Sequence, residues 1–292
     1  MRSLAFLLTL ALAGCVQPRA VVETEPPQPS LAPRYPSWDE VPAPWPDAAV
    51  VRPTPSGWRL DAPAESQPLI GDASVQNLSV SRHGHSVEVQ FVLFDSRSYE
   101  LKVLDQPEDW SGGGKITECM RKAGAIAGVN GGFFTPQFTP MGLMITDGQK
   151  TGAWQSNKLL TGAVVVHHTP QLLWNTEVRD TSSSSDLLQA GPRLVDAGRA
   201  VPNLERRKHA TRTFIATDGA QRWIFGLARN VSLGELADIL ATPGLMPDFP
   251  VHRALNLDGG RSSALYYRTA DGREHTDPGW STVRNYLGIV PR

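Results

Sequence analysis

Apolar and less apolar residues alternate at Val87, Val89, Phe91 and Leu93, the two-residue period of a half-buried strand. Asp95-Ser96-Arg97-Ser98 reads as a turn, and residues 99–104 as a returning strand, so the pattern predicts a hairpin. Residues 116–123 instead carry helical spacing, with Gly124 placed to end the helix. A buried strand over 125–129 follows. Residues 142–145 and 161–167 read as two more strands. Residues 211–217 and 221–228 flank Asp218-Gly219, a strong hairpin signal. Ser232-Leu233-Gly234-Glu235 matches a capping box, which predicts a helix running to about residue 240. The chain then returns through a strand over 254–257. Strand–helix–strand occurs twice among the hairpins. The expected fold class is therefore α+β: a single domain around a mixed β-sheet with flanking helices.

Composition divides the chain into three parts. Arg2 followed by an apolar run over 4–12 is too short to span a bilayer and reads as a signal peptide over residues 1–14. Leu12-Ala13-Gly14-Cys15 resembles a bacterial lipobox, which implies acylation of Cys15 and a lipid anchor in the membrane. Val16 in the next position favours the outer membrane, facing the periplasm. Thirteen of the 24 prolines fall between Val16 and Pro68. Such a composition cannot bury a core, so residues 15–68 are expected to form a disordered, Pro-rich tether. Trp38, Trp45 and Trp58 are unusual in a spacer and could dock part of it onto the domain. Residues 69–292 are long enough for one domain with one core.

Charge and cysteine content narrow the chemistry. Lys+Arg number 28 against 29 Asp+Glu, with no basic tract, which argues against nucleic acid as a partner. With Cys15 lipidated, Cys119 has no cysteine to pair with and reads as a small buried hydrophobe. His83 and His85 sit beside a hairpin and His167-His168 end a strand, without the spacing of a metal site. No metal or cofactor is expected, and a monomer is.

Two segments share one design. Gly128-Val129-Asn130-Gly131-Gly132 and Asn256-Leu257-Asp258-Gly259-Gly260 each end a short apolar strand in one polar residue and a glycine pair. Such a turn can build a site from backbone amides and one fixed side chain. The two polar residues are expected to share one cleft.

Asn130-Gly131-Gly132-Phe133-Phe134, Gly191-Pro192-Arg193-Leu194-Val195, Arg212-Thr213, the helix opened by Ser232, and Asn256-Leu257-Asp258-Gly259-Gly260 occur in the order of the phosphodiester glycosidase family. The sequence resembles that family over about residues 75–290. It departs where the family commonly has a third glycine; here Arg261 follows Gly260. The resemblance implies a hydrolase that cleaves a glycosyl phosphodiester, with a carbohydrate phosphodiester as substrate. Asp258 is then the candidate catalytic carboxylate, as nucleophile or base. Asn130, and with it Asn285, would bond sugar hydroxyls or the attacking water. Arg212, Arg261 and Arg284 are candidates to bind phosphate, because a guanidinium matches phosphate oxygens bidentately. Thr213, Gly131, Gly132, Gly259, Gly260 and Ser262 complete the expected substrate-binding set, the glycines through backbone N–H groups. Arg193 reads as structural. Two other readings stay open: a non-catalytic module that binds phosphorylated envelope glycans, and a structural envelope lipoprotein.

Overall fold

The computed structural model describes residues 56–106 and 115–292. The signal peptide, Cys15, Trp38, Trp45 and most of the tether lie outside the described residues. The strands in chain order are β1 (Arg59–Leu60), β2 (Glu65–Pro68), β3 (Ser74–Arg82), β4 (His85–Asp95) and β5 (Tyr99–Asp105). After helix α1 (Ile116–Ala123) come β6 (Ala127–Asn130), β7 (Met144–Thr146), β8 (Gln149–Thr151), β9 (Gly162–Val166) and β10 (Pro170–Trp174). Then follow β11 (Asp186–Ala190), β12 (Arg193–Asp196), β13 (Arg199–Ala200), β14 (Ala210–Thr217) and β15 (Arg222–Val231). Helix α2 (Leu233–Ala241) leads to β16 (Arg253–Asn256), β17 (Leu265–Arg268), β18 (Glu274–Asp277) and β19 (Asn285–Pro291).

These strands form three sheets. The largest has nine strands in the order β1-β3-β4-β15-β14-β16-β12-β13, with β2 also on β3. The second is β10-β9-β11-β7-β8 and the third β18-β17-β6-β19-β5. Of the described residues 46% are strand and 9% helix, so they are more β-rich than an α+β reading implies. The expected mixed sheet gives way to pairs that are antiparallel in all three sheets. The reason is visible in the two crossovers. β5–α1–β6 brings the chain back in the same direction, but β19 lies between β5 and β6 and pairs with both. Likewise β14 pairs with both β15 and β16. Each helix crossover skips one strand, and the skipped strand runs the other way.

The hairpin expected between β4 and β5 is also not formed. β4 pairs with β3 and β15, whereas β5 pairs with β19 in another sheet. The turn after Asp95 carries the chain from one sheet to the next. The Asp218-Gly219 hairpin does form, joining β14 to β15. Both helices match expectation. Gly124 ends α1 at φ 69°, in the left-handed region, and the Ser232–Glu235 capping box is complete. Residues 56–68, assigned to the tether by their prolines, supply Trp58 and the strands β1 and β2 on the large sheet. Trp58 is buried against Arg82, whose guanidinium lies 4.6 Å from the ring centre.

Alternation within strands decides which layer each residue joins. Ile215, Phe225, Val92 and Phe94 face a core shared by all three sheets, with Val129, Leu265, Leu287 and Val164. Their neighbours Phe214, Ile224 and Phe91 face the other way and pack under α2 through Leu236, Ile239 and Leu240. On the outer face of the third sheet α1 sits close. A methyl group on Gly128 would overlap the Met120 side chain, and Gly288, its register partner, also faces Met120. Bare glycine backbone is what lets the helix approach this sheet.

Candidate functional site

The nine-stranded sheet and the β6–β19 sheet meet where β16 ends. Leu257 N–H still donates to Thr213 of β14 at 2.9 Å. The next residue, Asp258, donates instead to Gly131 beyond β6 at 3.0 Å. Two residues thus cross from one sheet to the other, and they bring the two Gly-Gly turns side by side.

Asn130, the last residue of β6, is the knot of this junction. Its Nδ2 donates to the Asp258 carbonyl at 2.7 Å. Its Oδ1 accepts from Thr213 Oγ1 at 2.7 Å and from Ala264 N–H at 3.0 Å. Asn130 is 0% exposed, and these three bonds tie both Gly-Gly turns and β14 together. Thr213 is equally buried, and its hydroxyl also lies 3.1 Å from Ser263 Oγ. Gly131 donates to the Asn285 carbonyl at 2.9 Å, and Gly132 to Asn285 Oδ1 at 2.7 Å. Asn285 is fully buried and clamps this turn, so it too serves as framework.

The second turn is open. Asp258 is half-buried, and Oδ1 accepts the Gly259 N–H at 2.9 Å. Burial raises its pKa above the ordinary 3.8, while hydrogen bonds from the Ser262 hydroxyl and the Gly259 N–H pull the other way. A carboxyl whose burial outweighs its hydrogen bonds is poised to exchange protons or to attack. Gly260 has φ 66° and opens a short 3-10 turn over Gly260–Ser262, with nothing within 4 Å of where a side chain would start. Arg261 projects from that turn, exposed, and its guanidinium has no hydrogen-bond or ion-pair partner among the described residues.

Arg212 lies against the same turn: a Cβ on Gly259 would sit 3.7 Å from Arg212 Cδ. Its Nε donates to the Val231 carbonyl at 3.2 Å and one terminal nitrogen to the Lys208 carbonyl at 2.6 Å. Burial lowers its pKa, partly offset by the charge of Glu205. Carbonyls fix its direction but do not neutralise it, which suits a guanidinium meant for an anion. Arg284 differs. It is 2% exposed, bridges both oxygens of Asp105 at 2.8 and 2.9 Å, and donates to the Phe138 carbonyl at 2.8 Å. These bonds tie its guanidinium to β5 and to the loop after β6. Arg193 stacks 5.3 Å from the Trp174 ring centre and belongs to the framework, as read from sequence.

Two site residues escaped the sequence reading. Ser263 joins the knot through Thr213. Trp280 is 85% exposed, a large apolar surface left in water. Its backbone N–H donates to the Arg261 carbonyl at 2.8 Å, followed by Ser281 at 3.1 Å. Gly279 at φ 70° packs against the same turn. The only available signal was an isolated Gly-Trp in a polar loop. Among the described residues the Asp258 turn gathers no set of three His, Cys or carboxylate donors. Burial pushes the Cys119 thiol in α1 up to about 11, which disfavours its thiolate form.

A Synechocystis protein of known structure shares 17% identity, over 81% of this chain and 68% of that one, with a TM-score of 0.51. The catalytic domain of zebrafish N-acetylglucosamine-1-phosphodiester alpha-N-acetylglucosaminidase, auto-inhibited by its pro-peptide, gives a TM-score of 0.54. The identity there is 16%, over 78% of this chain and 88% of that one. At these identities the likeness shows the fold alone. No curated protein matches the chain. The phosphodiester glycosidase family model matches residues 123–290, which span both Gly-Gly turns, Arg212 and β19. With more than half of its length matched in this way, the chain belongs to the phosphodiester glycosidase family, and its coarse role is that of a hydrolase.

Proposed function

We propose that the protein hydrolyses a glycosyl phosphodiester at the Asp258 turn. The observation that carries this reading is the half-exposed carboxyl of Asp258, its pKa raised by burial, on a turn that carries Arg261 and packs against Arg212, two arginines without carboxylate partners among the described residues. A module that only bound phosphate would gain nothing from a carboxylate facing its anion. In the proposed reaction Arg212, the Arg261 guanidinium and the amides of Gly260 and Arg261 hold the phosphodiester oxygens. The bond between the anomeric carbon and the phosphate oxygen breaks, and a phosphate monoester leaves. That group departs without strong protonation, so one well-placed carboxylate suffices. Asp258 supplies it, toward the anomeric carbon or toward the attacking water. Asn130, Thr213 and Asn285 do not touch the substrate; they hold the two turns in register. The Trp280 indole gives a sugar ring a flat apolar face on which to stack.

The same reading places the enzyme in the bacterial envelope, anchored by lipid on Cys15 and facing the periplasm. Incorporation of labelled palmitate by the wild type and its loss in Cys15→Ser is the matching measurement.

The decisive experiment offers the protein a panel of sugar-1-phosphodiesters and measures released sugar. Release by the wild type but not by Asp258→Asn supports the enzyme. A wild type that cleaves none of them, yet binds a non-hydrolysable phosphonate analogue through Arg212 and Arg261, replaces it with a binding module.

A further inference from the structure

A second cluster lies at the start of α2, independent of the hydrolase reading. His85 opens β4, His209 precedes β14, and Glu235 stands in the first turn of α2. One ring nitrogen from each imidazole and one carboxylate oxygen of Glu235 lie within 4.8 Å of one another. His85 and His209 meet edge to face, with ring centres 5.2 Å apart. His209 Nε2 lies 2.8 Å from Glu235 Oε2. His85 Nε2 is buried and has no hydrogen-bond partner among the described residues, an unusual condition for a polar atom.

We infer that His85, His209 and Glu235 form a binding site for a divalent transition-metal ion, zinc by its donor set. Two imidazoles and one carboxylate are a common zinc set, with an open fourth position for water. The exposed side of His209 gives the ion a way in. Zinc would draw the donors to about 3.4 Å from one another, as bonds near 2.1 Å require. His209, being exposed, can make that move.

The surroundings fit a built site. Glu235 is already oriented: Ser232 N–H and hydroxyl both donate to Oε2, at 3.1 and 2.8 Å. A ligand fixed in place by a neighbour is what a metal site needs. The one cation in contact, Arg82, lies 3.4 Å from the other oxygen, Oε1, and is shared with Asp238 at 3.4 Å. Arg206, also near, is bound to Asp238 at 2.7 Å. On binding, His209 would exchange its bond to Glu235 for one to the metal.

The expected role is structural. Gly234 N–H donates to the Glu205 carbonyl at 2.8 Å, and the segment from Glu205 to His209 lies along the start of α2. Lys208 in that segment accepts the bond that directs Arg212. A zinc ion would pin the segment at its end.

The test titrates zinc into the full chain by calorimetry, with cobalt absorption as a second signal. One zinc per chain is expected. His209→Ala and Glu235→Gln should each weaken binding at least about tenfold. Glutamine keeps the capping box, so the second variant retains the helix start. His167→Ala with His168→Ala should change nothing. Zinc should also raise the Tm of the wild type and not that of His209→Ala. A wild type that binds no zinc, or binding that survives His209→Ala combined with Glu235→Gln, overturns the proposal.

Discussion

The turns at Asn130-Gly131-Gly132 and Asp258-Gly259-Gly260 are written alike and are used differently. The first is closed. Asn130 has no exposed surface, a methyl group on Gly131 would overlap Asn285 Oδ1, and Gly132 is clamped by the same side chain. The second is open: Asp258 is half-exposed, Gly260 faces empty space and Arg261 stands in water. What separates them is the polar residue. An amide can satisfy three neighbours without charge, and so it can be buried. A carboxylate pays for burial in pKa and stays at the surface. One turn therefore locates the other, and the proposed chemistry falls to the one that water reaches.

The largest expected effect is on turnover. Asp258→Asn keeps size and the bond from Gly259 but removes the basic group; kcat should fall about 10³-fold, or ~4 kcal/mol in barrier. Because burial raises the Asp258 pKa, the acid limb of the wild-type pH profile should lie above the ordinary carboxylate value of 3.8. The sign for stability is the reverse of a salt-bridged carboxylate. A raised folded pKa stabilises the fold below pH 3.8, and that contribution is lost as pH rises through the raised value. At neutral pH, Asp258→Asn should therefore melt no lower than the wild type. A clear drop in Tm would make this turn structural as well and erase the contrast.

Next comes Asn130→Ala. It strands the Thr213 hydroxyl, the Ala264 N–H and the Asp258 carbonyl, so the loss should be in stability, about 3 kcal/mol in a denaturant titration. A variant that kept its stability and lost only kcat would move Asn130 from framework to chemistry. The smallest effects compare the glycines directly. Gly131→Ala must displace Asn285 and should cost about 2 kcal/mol. Gly260→Ala meets no atom and should cost about 1 kcal/mol, from its left-handed backbone alone. Equal costs would mean that the two turns are packed alike.

The local elements were legible where short-range chemistry sets them. The Ser232–Glu235 box, the Gly124 cap and the Asp218-Gly219 turn depend on neighbours in the chain, and all three formed. Pairing was not legible, because β19 inserts between β5 and β6 by contacts that no local pattern encodes. Of the site, the two turns and Arg212 could be read as neighbours-to-be. Arg284 could not be separated from Arg261, since its partner Asp105 lies 179 residues away. The scattered positions of His85, His209 and Glu235 hid their approach for the same reason.

The place of β19 also has a consequence for how the protein is made. Asn285 clamps Gly132 from 153 residues downstream, and β19 fills a slot between strands that leave the ribosome far earlier. Until translation passes residue 291, β5 and β6 keep bare edges that can pair with nothing of their own. A nascent chain stalled before that point would carry Asp258 and Arg261 but no finished junction to hold them. Its open edges would be targets for chaperones or for other copies, and the junction that holds the two turns would be completed late.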